Sequence, residues 1–333
     1  MTLNIALVGA TGAVGQEILH LLEIGNIPTP KLRCFASQRS QGTTIVFKGQ
    51  EIPLEILTRN AFTGCDIALL CAGGKISKEW VPFALQEGAL VIDSSSYFRM
   101  DPHVPLIIPE INPHALESHH RLIASPNCST TIMLMALAPL HRRVPIKRIV
   151  AATYQAASGA GAQAMHELKE ETRCHLDQHP FERSVIPFPY AFNLFTHNSA
   201  LTESGYVEEE LKMLHETRKI LEDDKIQVHA TCVRVPILRA HSEALNVTFH
   251  DRLSVEEAYA ILQNAPGVTI LEDRAKNRFP MPIDAMGQHT VYCGRIREDH
   301  SCPNTLDLWV VGDQLLKGAA LNAVQILQSV IKA

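Results

Sequence analysis

The stretch that decides the fold is residues 3–15, LNIALVGATGAVG. Residues 3–8 form an uninterrupted apolar run, typical of a parallel strand that is buried on both faces. Gly9, Gly12 and Gly15 follow at intervals of three, and a helical apolar spacing comes next. Strand, glycine turn and helix in this order can cradle a pyrophosphate, because glycines let the backbone approach it and the helix N-terminus stabilises its charge. We predict a dinucleotide site here; a glycine turn without a ligand is the alternative.

The chain beyond this turn alternates between strand and helix. Apolar runs at 32–36, 67–71 and 89–93 predict further strands, and a helix is expected through 80–87. This alternation is typical of a doubly wound parallel sheet. We therefore predict an α/β domain of the Rossmann type.

The polar end of the second predicted strand indicates which dinucleotide binds. An Asp or Glu at this place usually binds the ribose 2′-hydroxyl of NAD, but the sequence reads Ala-Ser-Gln-Arg39-Ser40 and has no acid. A guanidinium and hydroxyls suit a 2′-phosphate, so Arg39 and Ser40 favour NADP. The alternative is that Arg39 is a solvated residue of a polar loop.

The pattern changes after residue 127. Helices are expected at 128–141, 161–179 and 206–221, and strand-like runs appear at 148–155, 226–235, 243–249, 267–271 and 306–311. This mixture predicts an α+β domain with a mixed or antiparallel sheet. An amphipathic last helix, about 313–331, is expected to pack back on the first domain. The predicted domains are 1–127, completed by the C-terminal helix 313–333, and 128–312.

Length, composition and charge limit the class of protein. A chain of 333 residues is long for one core, and 46% hydrophobic with 20% charged residues fits a globular protein. A net charge of −5 argues against a nucleic-acid or anionic-membrane surface. The first residues lack the pattern of a secretory signal, and no apolar stretch approaches the length of a membrane span, so we expect a cytoplasmic protein. The eight cysteines form no C-x-x-C pair and the histidines no H-E-x-x-H, so no metal site is expected.

Cys128 is the candidate nucleophile. It follows Ser125-Pro126-Asn127 and precedes the apolar run of the next helix. Pro126 discourages helix before it, and Ser125 or Asn127 can cap the helix that follows. A cysteine in the first turn of a helix is stabilised as a thiolate, which can attack a carbonyl or an acyl phosphate. A structural cysteine is the equally weighted alternative at this point.

Five separated segments, in order along the chain, resemble the aspartate-β-semialdehyde dehydrogenase family. They are GATGAVG at 9–15, SPNCST at 125–130, TYQAASGAG at 153–161, RVPILRAHSE at 234–243 and GDQLLKGAALNAVQI at 312–326. The resemblance implies an NADP-binding Rossmann-type domain followed by a catalytic and dimerisation domain, and a homodimer. It also implies reductive dephosphorylation of L-aspartyl-4-phosphate to the 4-semialdehyde by NADPH, with release of inorganic phosphate, on the route to lysine, threonine and methionine.

The resemblance also assigns residues. The family's nucleophile falls on Cys128, its acid/base histidine on His241 and its active-site glutamine on Gln155. The substrate-binding residues fall on Arg234, Glu209, Arg99, Lys212 and Asn127, with Arg99 and Lys212 expected to bind phosphate. The cofactor contacts fall on Gly9, Thr11, Gly12, Ala13, Val14, Gly15, Arg39, Ser40, Ser158, Gly159 and Gln314.

The sequence departs from the family pattern at two positions. Ser94 stands where the family often has Asn, and Ala240 where Gly commonly precedes the histidine. Both leave the charged and nucleophilic groups in place and could alter the local backbone.

Three other functions are alternatives to this assignment. They are N-acetylglutamyl-phosphate reductase, a glyceraldehyde-phosphate-type dehydrogenase and a non-catalytic NADP-binding paralogue.

Overall fold

The structure, a computed structural model, describes residues 3–25, 27–29 and 31–332. The chain divides into two compact units. The first runs to Asn127 and resumes at Ala319, and the second is Cys128–Gly318.

The elements of the described residues are as follows, in chain order. The strands are β1 Asn4–Val8, β2 Lys31–Phe35, β3 Thr44–Phe47, β4 Gln50–Glu55, β5 Ile67–Leu70, β6 Leu90–Asp93, β7 Leu122–Ala124, β8 Ile146–Gln155, β9 Phe195–Thr196, β10 Gln227–Arg234, β11 His241–Phe249, β12 Val268–Ile270, β13 Val291–Glu298 and β14 Thr305–Gly312. The α-helices are α1 Ala13–Ile24, α2 Gly74–Gln86, α3 Cys128–Arg143, α4 Ala162–Leu176, α5 Glu208–Leu221, α6 Val255–Gln263, α7 Pro282–Ala285 and α8 Leu321–Lys332.

The first unit is built on a sheet in the order β3-β4-β2-β1-β5-β6-β7. All neighbouring strands from β4 to β7 in this order are parallel. The inner strand β5 is buried along its whole length, as its continuous apolar sequence predicts. Helices α2 and α8 pack on β6, and α8 also packs on α1. The prediction of a Rossmann-type parallel sheet is confirmed.

An edge hairpin of this sheet escaped the sequence analysis. Strands β3 and β4 are antiparallel and joined by Lys48 and Gly49, with φ of 50° and 74°. Two positive φ angles are typical of the tight type I′ turn, for which Asn-Gly is the usual signal. A lysine in the first turn position hides that signal, so the hairpin was missed.

The second unit has a mixed sheet in the order β12-β13-β14-β11-β8-β10-β9. The pairs β8/β10 and β12/β13 are parallel, and the remaining pairs are antiparallel. The mixed sheet predicted for this part of the chain is confirmed. The strands β9 and β13 were not predicted.

The two faces of this sheet differ. Helix α3 packs on β8, β11, β13 and β14, and it also touches α5 and α6. Gly312 is paired with His241 and faces Ile132 of α3, because a Cβ at Gly312 would lie 2.9 Å from the Ile132 side chain. The His241 side chain therefore points to the helix-covered face. The opposite face carries Tyr154 and Trp309, whose ring centroids are 5.6 Å apart.

The last predicted helix begins later than expected. Residues 313–315 are not helical, a π-helical turn covers Leu316–Ala320, and α8 follows. The Asp313 carboxylate accepts the backbone N–H of Leu315 at 3.0 Å and pairs with Arg239 at 2.7 Å, which fixes the chain outside the helix. The predicted start at 313 is therefore wrong. No helix within the described ranges is long and apolar enough to cross a membrane.

Candidate active site

Cys128 is the first residue of α3, as its sequence context predicts. Its side chain is partly exposed, and its Sγ lies 3.6 Å from Nε2 of His241. The backbone of the π-helical turn comes close on another side. A Cβ at Gly318 would stand 2.9 Å from the Cβ of Cys128, so only glycine fits there without movement. The sulfur thus sits at the start of a helix with an imidazole beside it.

His241 begins β11 and is fully buried. Its Nδ1 accepts the backbone N–H of Ala156 at 3.1 Å. A neutral imidazole that accepts at Nδ1 carries its proton at Nε2, the nitrogen that faces Cys128. Burial and then the nearby Arg234 charge lower the pKa of His241 to about 3, so the ring is neutral at physiological pH. The geometry makes His241 a hydrogen-bond donor toward the sulfur.

The backbone before His241 is held in an unusual conformation. Ala240 has a φ of 74°, the left-handed region in which glycine is favoured. Its N–H donates to Oε1 of Gln314 at 2.9 Å, and Nε2 of Gln314 donates to Oγ of Ser158. The departure from glycine noted in the sequence is therefore accommodated by hydrogen bonding. Ser158 and Gln314, expected as cofactor contacts, are here parts of this support.

Gly159 lies directly against the imidazole. A Cβ at this position would stand 3.1 Å from Cε1 and Nε2 of His241, and 3.5 Å from a guanidinium nitrogen of Arg234. Contacts of 3.1 Å are tighter than nearly all real ones. The absence of a side chain at Gly159 therefore leaves space for the His241 ring.

Gln155 ends β8 and joins the sheet to two helices. Its amide nitrogen donates to Ser129 Oγ at 2.8 Å and to Glu209 Oε1 at 3.3 Å. Glu209 is buried in the first turn of α5 and forms an ion pair of 3.2 Å with Lys212. Glu209, to which the resemblance assigns substrate binding, thus contacts Gln155.

Arg234 is the neighbour of Gln155 in the β8/β10 register and is only 4% exposed. Its Nε donates to Oδ1 of Asn198 at 2.8 Å, and one terminal nitrogen meets Nε2 of His197 at 2.9 Å. The other terminal nitrogen lies 3.5 Å from the carbonyl oxygen of Ala156. The buried guanidinium is therefore held by neutral groups.

The predicted glycine turn in the first unit has the geometry that a pyrophosphate needs. Gly9 has a φ of 92°, and a Cβ there would meet the Cys71 carbonyl at 3.0 Å. A Cβ at Gly15 would lie 2.2 Å from the Gly9 oxygen. Gly12 is the N-cap residue of α1 and has no side chain that could cap the helix. Thr11 beside it is exposed. The N–H groups at the start of α1 are therefore available for an anion, and the turn fits a dinucleotide.

The remaining candidates of the first unit lie in two places. Arg39 and Ser40 form part of a 3-10 turn after β2, and Arg39 is exposed. Arg99 is 8% exposed and donates to the carbonyl oxygens of Ser125 and Ser94, each at 2.9 Å. Asn127 is buried immediately before α3. Ala13 and Val14 form the first turn of α1.

Four of the other cysteines lie in surroundings that disfavour a thiolate. Burial raises the pKa of Cys34, Cys71 and Cys293 to about 12, and it also raises the pKa of Cys232. Thiols in such places stay protonated and unreactive. Within the described residues no group of metal-ligating side chains is present.

Comparison with known proteins agrees with this geometry. Residues 4–119 match the family model for the NAD binding domain of semialdehyde dehydrogenase, and residues 137–317 match the model for its dimerisation domain. The aspartate-semialdehyde dehydrogenase of Synechocystis sp. is 52% identical over 330 residues, which cover 99% of this chain and 98% of that protein. This chain belongs to the aspartate-semialdehyde dehydrogenase family. The resemblance inferred from five sequence segments is thereby confirmed.

Other aspartate-semialdehyde dehydrogenases give the same result over the same length. The protein of Aquifex aeolicus is 46% identical, with coverage of 100% of this chain and 99% of that protein. A crystal structure of aspartate-semialdehyde dehydrogenase II from Vibrio cholerae has a TM-score of 0.95 and 38% identity, covering 100% of this chain and 99% of that one. The same protein has been solved in complex with ASA.

The sequence analysis missed some groups that build the candidate site of this chain. His197 and Asn198, which hold Arg234, and Gly318, which lies against Cys128, were not singled out. The first two follow a strand of only two residues, too short for a periodic signal. A buried arginine needs hydrogen-bond acceptors, but this requirement does not say where in the chain they lie.

Proposed function

We propose that this chain catalyses the NADPH-dependent reductive dephosphorylation of L-aspartyl-4-phosphate to L-aspartate-4-semialdehyde through a thioester on Cys128. The observation that supports this most is the 3.6 Å approach of the Cys128 sulfur and the His241 Nε2, at the start of α3. The helix N-terminus stabilises a thiolate, and the Nε2–H donates to it. A nucleophile is thus available without a base to remove its proton during attack.

The proposed reaction has two steps. The Cys128 thiolate attacks the acyl carbon, the C–O bond to phosphate breaks, and the thioester forms with release of inorganic phosphate. The bound nicotinamide cofactor supplies hydride to the thioester carbon. The resulting oxyanion accepts a hydrogen bond from Nε2–H of His241 and collapses to the aldehyde, which returns the thiolate. The proton consumed overall ends on the phosphate.

The binding residues are proposed from the family correspondence and the geometry of each unit. Arg234, buried among neutral acceptors, suits the substrate carboxylate, and Glu209 suits its ammonium group. Arg99 and Lys212 are proposed for phosphate. The glycine turn of residues 9–15 would hold the pyrophosphate of the cofactor, and Arg39 with Ser40 would favour NADP through its 2′-phosphate. We also propose a homodimer, in line with the match to a dimerisation domain.

The test is an assay in the reverse direction with purified protein, aspartate semialdehyde, phosphate and NADP. Cys128→Ala should lower turnover at least about a thousandfold while NADP binding is unchanged, because the covalent route is lost. Cys174→Ala is the matched control, since Cys174 is also a partly exposed cysteine in a helix. Comparable turnover by Cys128→Ala and the wild type would refute covalent catalysis at this sulfur.

The same assay separates the rival functions. Faster turnover of the N-acetylated glutamate semialdehyde would point to the N-acetylglutamyl-phosphate reductase reaction, and glyceraldehyde 3-phosphate tests the third enzyme. NADP binding without turnover of any of these aldehydes would point to a non-catalytic paralogue. Replacing NADP by NAD tests the assignment of Arg39.

A further inference from the structure

The guanidinium of Arg234 keeps its charge although it is almost completely buried. Its three hydrogen-bond partners among the described residues are a side-chain amide, an imidazole and a backbone carbonyl. None of these carries a negative charge. Arginine has five N–H donors, so these three contacts leave about two for another acceptor. A buried guanidinium that has unused N–H donors and no negatively charged partner favours the binding of an anion.

The imidazole of His197 must be neutral to serve as a partner. Arginine has no acceptor, so the guanidinium donates and Nε2 of His197 accepts. The ring then carries its proton at Nδ1, which donates to Oγ of Ser199 at 3.0 Å. The backbone N–H of Ser199 also lies 3.1 Å from Nδ1, but a protonated nitrogen cannot accept, so the hydroxyl is the partner.

The contacts continue to the helix that carries Glu209. Oγ of Ser199 accepts the backbone N–H of Glu209 at 3.1 Å, in the first turn of α5. Arg234, His197, Ser199 and Glu209 therefore form one continuous hydrogen-bonded row. The row links the side chain of Arg234 to the backbone of Glu209, and these are the two residues proposed to bind the charged groups at the amino-acid end of the substrate.

The backbone of this segment is fixed to the sheet. Strand β9 pairs with the end of β10, where Phe195 is opposite Arg234. One residue further, the N–H of His197 donates to the carbonyl oxygen of Cys232 at 2.8 Å. The His197 and Asn198 side chains are thus presented to Arg234 from a neighbouring, hydrogen-bonded strand.

We infer that His197 and Asn198 are positioning residues, neutral acceptors that fix the Arg234 guanidinium without neutralising it, so that its charge and free N–H groups are kept for the carboxylate of the substrate. An Asp or Glu in either place would hold the guanidinium as well but would compete with that carboxylate. The inference rests on the proposed function, since it specifies how the site recognises a carboxylate.

The decisive variant is Asn198→Asp, which changes charge with almost no change of shape. The introduced carboxylate should pair with Arg234 and raise KM for aspartate semialdehyde about tenfold or more, since an opposing charge directly offsets the attraction. We expect kcat to change by less than about threefold and KM for NADP to stay the same. A defect that comes only from folding would change these parameters together.

A pair of substitutions tests His197. His197→Phe removes the acceptor and keeps a ring, so KM for the aldehyde should rise about tenfold. His197→Gln restores an acceptor and should return KM to within about threefold of the wild type. His229→Phe is the matched control on β10, because His229 is exposed and bonded to the hydroxyl of Tyr206.

The outcomes separate the inference from the proposed function. A wild-type protein that does not turn over aspartate semialdehyde contradicts the function itself. An active wild type whose Asn198→Asp and His197→Phe variants keep their KM for the aldehyde overturns the inference alone. It is also overturned when His197→Gln is as impaired as His197→Phe, because the acceptor is then irrelevant.

Discussion

At the scale of single residues, Gly159 constrains the position of the His241 imidazole, which we propose to be catalytic. A methyl group there would stand 3.1 Å from two atoms of the His241 ring, so the ring must give way by a few tenths of an ångström. We expect Gly159→Ala to lower kcat about tenfold, since small displacements of reacting groups are costly, and to leave the melting temperature nearly unchanged. Steady-state kinetics and calorimetry on the same preparation measure both.

The same substitution distinguishes two roles for this glycine. The family correspondence assigns Gly159 to the cofactor, and a methyl group that blocks the cofactor would raise KM for NADP. A methyl group that displaces His241 would lower kcat instead. Ala160→Ser, in the same 3-10 turn, is the control. A rise in KM for NADP with an unchanged kcat would contradict the role proposed here.

At the scale of an element, strand β11 carries a buried acid whose carboxyl oxygens have no hydrogen-bond partner in the structure. Glu243 lies two residues after His241 on the same face, is fully buried, and is paired with Thr153 in the β8 register. Burial raises the pKa of Glu243 well above its usual value, which favours the protonated carboxyl. The strand therefore places a carboxyl group with a raised pKa two residues from His241.

This acid makes stability depend on pH in a defined direction. A carboxyl whose pKa is raised by folding stabilises the protein below the unfolded pKa of about 4.5, and that contribution is lost as pH rises. We expect Glu243→Gln to raise the melting temperature at pH 7 by about 2–4 °C or more, and by less at pH 5. Calorimetry at the two pH values measures this. An equal effect at both would show that Glu243 is ionised in the folded protein.

The elements also show what sequence can and cannot reveal. The buried strand β5 and the glycine turn before α1 were predictable, because apolar runs and glycine spacing are local signals. Helix α6 follows Ser254, whose hydroxyl accepts the backbone N–H of Glu257, and Ser-x-x-Glu is a capping pattern that sequence alone displays. The β3/β4 hairpin was not, because its turn has Lys48 in place of the usual residue, and β13 contains a bulge that breaks strand alternation.

The candidate site divides in the same way. Cys128, Gln155, Arg234 and His241 lie in segments with a distinctive order of residue types, so family resemblance could assign them. The acceptors that hold Arg234 could not be found in this way. Their role depends on the register of β9 against β10, and a contact between residues 36 positions apart leaves no local pattern.

At the scale of the whole molecule, two buried neutral histidines predict loss of stability in acid. Burial lowers the pKa of His197 to about 4, with Glu209, Arg234 and Lys212 as the charged groups nearby. The pKa of His241 falls to about 3 for the same main cause. Because folding lowers both values, the stabilisation is full above about pH 6.5 and decreases as pH falls toward 4 and then 3.

The size of this effect can be measured on one of the two residues. The His197 shift corresponds to about 3 kcal/mol of unfolding free energy. We expect His197→Gln to reduce the loss of stability between pH 6.5 and 4 by about that amount. Denaturant titrations that follow Trp309 fluorescence in a Trp80→Phe background report on the second unit. If the free energy of unfolding changes with pH equally in the wild type and in His197→Gln, the assignment of this pH dependence to His197 is wrong.

The return of α8 to the first unit constrains the order in which this protein can mature during synthesis. The first unit includes α8, which follows the second unit in sequence, so it is incomplete until the ribosome has made the second unit and α8. The second unit lies between the two segments of the first unit in sequence, so its synthesis is finished earlier. It ends at the turn that carries Gly318. A nascent chain can therefore acquire the surroundings of Cys128 within the second unit before the first unit is complete.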